Sequence, residues 1–424
     1  MPIKIERTEP KHTARSGLFL YAEFMKGFGV DRLILEYMPR PKSGRGYDPC
    51  AFIKPLSMTL YGGGACIEDM KEIREDAALR KASGIKAVPS SSAMGDWLKR
   101  ISLTGGIEGM EIINKSIARK IILKDKRKTY TLIIDPTIIE AEKKDACMTY
   151  LGVKGYRPVI AVLKELDIGK AYQFKQGSDN GGRLDIIKKA FDMMPEGKRI
   201  EKVLLDSEYY TNEVMEYLTE KGVIWAIAAD KDRAVKTEIE AIPDIEWKPF
   251  ATREGKQTDR EIAETIHTTN KGKEAFRMIV LRWKDRQAGL FNNSYNYHAI
   301  ATSMIESNIE EVVWQYNERA YIESHIKEIK TGFSMEQMPS GDFGANALYF
   351  GIGIMTYNLF IAQKYWVMPA EWASKTIKSI RWLLIEAVGR VIERSRRIIL
   401  KIAATREKYR IYLEMRERLC LLTL

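Results

Sequence analysis

The sequence predicts an α/β protein: a mixed sheet flanked by helices, with a β-rich insertion and a helical N-terminal region. Three observations predict it. The hydrophobic period changes near residue 126, from helical spacing to short β-type runs. Strand-like and helix-like segments then alternate as far as residue 230. A charge-rich stretch of further β-type runs, 231–303, interrupts this alternation before helical spacing returns.

Each segment follows from its local pattern. Within 1–125, "SGLFLYAEFMKGFG", "PCAFIKPLSMTLYGG", "CIEDMKEIRED" and "SSSAMGDWLKRIS" carry helical spacing, with Gly or Pro between them. In 88–101, Pro89 and the serines after it offer an N-cap to a short helix. Either the second helix of a helix-turn-helix or a packed helix of an orthogonal bundle fits. From 126, "KTYTLIIDPTIIEAE", "RPVIAVLKEL" and "GKAYQFKQG" read as three strands. A helix (181–195), a strand that stops at Asp206, a capped helix (211–222) and a strand (223–230) follow. The insertion includes "EAFRMIVLRWKD" and "NYHAIATS", and 334–424 closes the chain with apolar and then basic segments.

The 424 residues, 45% of them hydrophobic, suffice for a large core in two or three domains. The net charge is +11 and the pI about 9.2. This favours an anionic partner, nucleic acid before an anionic membrane surface. Residues 371–424 hold 13 Lys/Arg against 6 Glu, so +7 of the excess lies there. Cys50, Cys66, Cys147 and Cys420 form no CxxC pair, and His12, His267, His298 and His325 show no zinc spacing; four reduced thiols in a cytoplasmic protein are expected. The N-terminus is too polar for a signal peptide. The run 345–362 is long enough to span a membrane, but its Asn346 and Asn358 favour a buried helix, so no membrane partner is expected.

Two acids end apolar runs: Asp135 in "LIIDPT" and Asp206 in "VLLDS". A charge there is costly to bury unless it is paired or binds a metal. The stretch 314–333 supplies a third. On an α-helix, Tyr316, Arg319, Glu323 and Lys330 fall at roughly 0°, 300°, 340° and 320°. The apolar Ile322, Ile326, Ile329 and Phe333 lie just beside that arc, between roughly 220° and 280°. Polar groups thus occupy the shoulder of a buried face. Three hard oxygen donors suit Mg²⁺ or Mn²⁺, and such a site holds two metals roughly 3.5–4 Å apart for in-line phosphoryl displacement. Each acid also has a plainer reading. Asp206 fits a helix cap, Asp135 a turn before Pro136, and Glu323 a surface pair with Lys327. His325 lies about 180° from the arc on the same count and reads as structural. Glu140, Glu142 and Asp145 read as solvated charges, and Glu208 as a reserve for the second acid.

The spacing Y-x2-R-x3-E-x6-K, as Tyr316, Arg319, Glu323 and Lys330, resembles without departure the signature of a group of bacterial insertion-sequence transposases. "LIIDPTIIEA", "GYRPVIAVL", "RIEKVLLDSEYYTNEVMEYL" and "GANALYFGIGIMTYNLF" extend the resemblance over roughly 15–400. It implies an RNase H-like catalytic domain formed by 126–230 and 304–366. Around it would lie a DNA-binding N-terminal region (1–125), an insertion subdomain (231–303) and a basic C-terminal region for DNA contact or dimerisation (367–424). It also implies Asp135, Asp206 and Glu323 as catalytic metal ligands for Mg²⁺ or Mn²⁺. Tyr316, Arg319 and Lys330 would contact DNA near the cleaved end. Tyr297 or His298 stands where relatives stack an aromatic on a displaced base, and Trp283 is a second candidate; some relatives carry a tryptophan at the former place. The implied activity is cleavage at terminal inverted repeats and strand transfer to target double-stranded DNA by a homodimer. Two alternatives stay open: a nuclease of the same fold without strand transfer, and a retired transposase that only binds DNA.

Overall fold

The computed structural model describes residues 3, 5–6, 11–41, 46–192, 194–268, 275–285, 295–395 and 397–422. Within the insertion, 269–274 and 286–294 lie outside the described residues.

The N-terminal region is helical, as predicted. Its main helices are α1 (Leu18–Phe28), α2 (Cys50–Gly62), α3 (Ser91–Ser102) and α4 (Gly106–Lys124). Ser90 caps α3 by accepting the Ala93 N–H at 3.2 Å. The apolar face of α3 (Met94, Trp97, Leu98, Ile101) is buried, and Trp97 stacks on Phe52 of α2 with centroids 4.7 Å apart.

Beyond them run β1 (Thr129–Pro136), β2 (Val159–Leu163), β3 (Ile168–Gln173), α5 (Arg183–Phe191), β4 (Arg199–Leu205), α6 (Asn212–Glu220) and β5 (Ile224–Ala228). The insertion contributes α7 (Arg233–Glu240), β6 (Lys248–Ala251), β7 (Gln257–His267), β8 (Phe276–Lys284) and β9 (Tyr295–Thr302). One nine-stranded sheet results, in the order β6-β7-β8-β9-β5-β4-β1-β2-β3. β1 pairs parallel with β4, and β4 with β5; the remaining pairs are antiparallel. This is the predicted mixed sheet flanked by helices. The β-rich insertion extends its edge, because β9 pairs directly with β5. One face of the extension has its own small core, including Val235 and Ile239 of α7, Trp247 and Val280.

The segment 309–332 is not one α-helix. It comprises α8 (Ile309–Asn317), a 3₁₀ turn (Glu318–Ala320), α9 (Tyr321–Lys327) and a π turn (Glu328–Gly332). The uniform rotation of 100° per residue assumed for Tyr316, Arg319, Glu323 and Lys330 is therefore corrected: they sit in turn on α, 3₁₀, α and π segments. Next comes α10 (Phe343–Trp366), the one helix among the described residues long and apolar enough to cross a membrane. Its apolar window is wholly buried in the fold. The two asparagines show why it belongs inside a protein. Asn358 exchanges two hydrogen bonds of 2.9 Å with the Gly169 backbone, and Asn346 donates to Tyr156 at 3.1 Å. On its other side, Thr356, Ser57 and Tyr21 form a hydroxyl chain with steps of 2.8 and 2.7 Å. The N-terminal helices and the sheet thus share one core around α10.

The chain closes with a hairpin, β10 (Gly389–Arg394) and β11 (Arg397–Ile402), and with α11 (Arg406–Cys420). His12–Thr13 adds a short third strand beside β10.

Candidate active site

β1 and β4 place the first two acids. All residues from Tyr130 to Ile134 are buried, as a central strand requires, and Asp135 is the first to reach partial exposure. Ile134 pairs with Leu205, so Asp135 and Asp206 emerge side by side from parallel neighbours. Asp206 ends its strand by capping a 3₁₀ turn, accepting the Glu208 N–H at 3.1 Å. The cap reading therefore holds: one carboxylate oxygen of Asp206 caps the turn.

α8 and α9 lie against this edge. Arg319 Nη1 donates to Asp135 Oδ1 at 2.8 Å. Burial pushes the Asp135 carboxyl up to about 6, against the pull of Arg319; the charges of Asp206 and Glu323 push it further. Asp206 is raised by burial first and then by Glu208, again against Arg319. Tyr316 is buried beside Arg319, and burial raises its phenol. Glu323 is exposed, and among the described residues it forms no ion pair with Lys327. Lys330 Nζ donates to the Ile138 carbonyl at 2.7 Å, which fastens the π turn to the segment after β1.

The far side of α9 fixes its position. Tyr321 donates to Asp167 Oδ1 at 2.6 Å, and His325 Nδ1 lies 2.7 Å from the Tyr357 hydroxyl. His325 is thus buried in a hydrogen-bonded structural setting away from Asp135.

The pleat separates the neighbours Tyr297 and His298. His298 pairs with Leu281 and sits beside Tyr316, with ring centroids 5.6 Å apart. Burial first, then Lys231, Arg260 and Arg319, depress its imidazole to about 4. Tyr297 turns to the opposite face and packs near Trp247, centroids 6.3 Å apart. Trp283 belongs to the His298 face, and the Arg260 guanidinium lies 4.8 Å from its ring centroid.

Glu208 is engaged elsewhere: the buried Arg157 grips both of its carboxylate oxygens, one of them at 3.0 Å. That pair removes it as a substitute for Asp206. Arg157 escaped the sequence reading; the available signal was a single cation at the mouth of an all-apolar strand. Asp145 also departs from expectation, since its Oδ2 accepts the Phe343 N–H at 3.0 Å at the start of α10.

The donor chemistry of Asp135, Asp206 and Glu323 fits a hard divalent cation, whose charge would oppose the burial, and the smaller mutual repulsion, that raise Asp135. Among the described residues no three His, Cys, Asp or Glu side chains form a ready-made ligand cluster. Arg319 is the cation that engages Asp135 directly.

The model of the family described as "Transposase DDE domain group 1" matches residues 2–424. The chain belongs to this transposase family. No curated protein matches it. A similar solved structure is the cryo-EM structure of the piggyBac transposase synaptic complex with hairpin DNA, at 12% identity and a TM-score of 0.46; the match covers 96% of this chain and 80% of that one. Membership spans the helical N-terminal region, the sheet with its extension, and the C-terminal hairpin alike.

Proposed function

We propose that this transposase-family chain is the DNA transposase of a bacterial insertion sequence. It binds the terminal inverted repeats, cuts one strand at each end and joins the freed 3′-OH to target DNA as a homodimer. The observation that carries this reading is the juxtaposition of Asp135 and Asp206 on parallel neighbours, with the charge of Glu323 felt at Asp135. Asp135, Asp206 and Glu323 would hold the divalent metal, Mg²⁺ or Mn²⁺, as two ions. When bound, the metal supplies Lewis-acid activation of the attacking oxygen and charge stabilisation at the leaving oxygen.

The chain's own groups orient the DNA end. Arg319 presents a planar fork suited to a phosphate, and Tyr316 holds that fork in place from the buried side. Lys330 keeps the segment after β1 against the π turn and adds positive potential at the same edge. His298, neutral in its buried setting, lines the edge next to Tyr316.

The test uses duplexes that carry the inverted repeats flanking the coding sequence. Asp135→Asn, Asp206→Asn and Glu323→Gln should each abolish cleavage while mobility shifts of the same duplex persist. Full cleavage by Glu323→Gln removes that residue from the triad. Wild-type cleavage without joining of a pre-cut end would make the chain a nuclease. Binding without cleavage in any divalent metal would make it a DNA-binding protein.

A further inference from the structure

The hairpin β10–β11 has two unlike faces. On the inner face Val391 is buried opposite Leu400, and Glu393, opposite Ile398, pairs with Lys81 of the helical region at 2.6 Å. On the outer face Arg390 stands opposite Lys401, Ile392 opposite Ile399, and Arg394 opposite Arg397. The four cations are exposed, and none of their side chains has a hydrogen bond or ion pair among the described residues. Among the described residues of the two strands, no acid shares the face.

Like charges directly opposite each other across an antiparallel pair are destabilising. This hairpin has two such pairs on one face. The fold gains nothing from that arrangement alone, whereas an anion against the face turns repulsion into attraction. Two such faces would repel each other, which argues against a second copy of the chain as occupant. The dimensions point to a particular anion. Beyond the two-residue strand His12–Thr13, the hairpin is a two-stranded ribbon. A ribbon of this kind fits the major groove of B-DNA, which is about 12 Å wide. The outer cations spread over about 13 Å, four residues at the rise of a strand, so they reach phosphates on both walls of the groove.

We infer that the outer face of β10–β11 is a docking surface for duplex DNA, with Arg390, Arg394, Arg397 and Lys401 on phosphates. The inference rests on the reading of the chain as a DNA transposase and adds a site separate from Tyr316, Arg319 and Lys330. These contacts carry position and affinity, and the acidic edge does the chemistry.

The test measures binding of the full chain to a random-sequence duplex while salt is raised from about 50 to 200 mM. The quadruple variant Arg390→Gln, Arg394→Gln, Arg397→Gln, Lys401→Gln should lower the slope of log affinity against log salt by about 3 to 4, and each single variant by about 1. Without DNA, its melting temperature should hold or rise, because both like-charge pairs are gone. An unchanged slope with wild-type binding intact overturns the ribbon site and leaves the transposase reading standing. Absence of binding by the wild type overturns both. A fall in melting temperature overturns the repulsion argument. A change in sedimenting mass with an unchanged slope assigns the face to a second copy of the chain and overturns the DNA assignment.

Discussion

Arg319 Nη1 lies 2.8 Å from Asp135 Oδ1, which ties the 3₁₀ turn between α8 and α9 to the partly exposed end of the central strand β1. The contact joins residues 184 positions apart and places a guanidinium on the first acid of the site. On the proposed reading, a divalent cation at Asp135 would compete with Arg319 for one carboxylate, unless DNA phosphate drew the guanidinium away.

Arg319→Ala should consequently bind Mn²⁺ more tightly in the absence of DNA. A hydrogen bond to a charged group contributes roughly 1.5–3 kcal/mol, which corresponds to about a ten- to hundredfold gain. The same variant should cleave DNA ends about ten- to a hundredfold more slowly, for loss of one phosphate contact. Calorimetric metal titration and end cleavage, read on one preparation, separate the two effects. Weaker metal binding by Arg319→Ala would show that the guanidinium assists the metal site.

Removal of Arg157 should be among the most damaging single changes in the sheet. Arg157→Met leaves Glu208 partly buried with the longer Arg183 contact, at 3.9 Å, as its remaining ion pair among the described residues. Loss of one partner of a buried pair costs about 3–5 kcal/mol. The double variant Arg157→Met, Glu208→Gln should recover most of that loss, because no charge stays stranded. Urea denaturation of the two variants gives the comparison; equal stability of single and double variants would sink the ion-pair account.

His298 should impose an acid limb on stability. Its imidazole falls from the ordinary 6.5 to about 4 in the fold. The unfolded chain then binds the extra proton between those values, so the stabilising contribution is complete above about 6.5 and is lost as pH falls towards 4. The span corresponds to roughly 3 kcal/mol. His298→Gln should flatten this limb, as read from melting temperatures between pH 4 and pH 7. An unchanged limb would show that His298 protonates in the fold without cost.

The order of elements was legible in the residues. Period changes marked every strand of the five-stranded body, and Asn346 and Asn358 marked α10 as a helix with polar obligations inside a protein. The approach of Asp135 and Asp206 was also readable, because each ends an apolar run and successive parallel strands deliver their ends to one edge. The spacing of Tyr316, Arg319, Glu323 and Lys330 was visible without the fold.

Other features depended on contacts between residues far apart in sequence. Tyr316, Arg319, Glu323 and Lys330 sit on α, 3₁₀, α and π segments, and no local propensity specifies those changes; anchors such as Tyr321 on Asp167 and Lys330 on Ile138 accompany them. The choice of His298 over Tyr297 as the neighbour of Tyr316 rests on strand register, since a shift of one residue exchanges the two faces. Pairing of β9 with β5 made the insertion an extension of the sheet, a decision held in hydrogen bonds between segments about seventy residues apart. Composition and period fixed what each segment of this chain becomes; long-range pairing decided which charges meet, because Arg319 and Asp135, or Arg157 and Glu208, gain their partners only when the sheet closes around them.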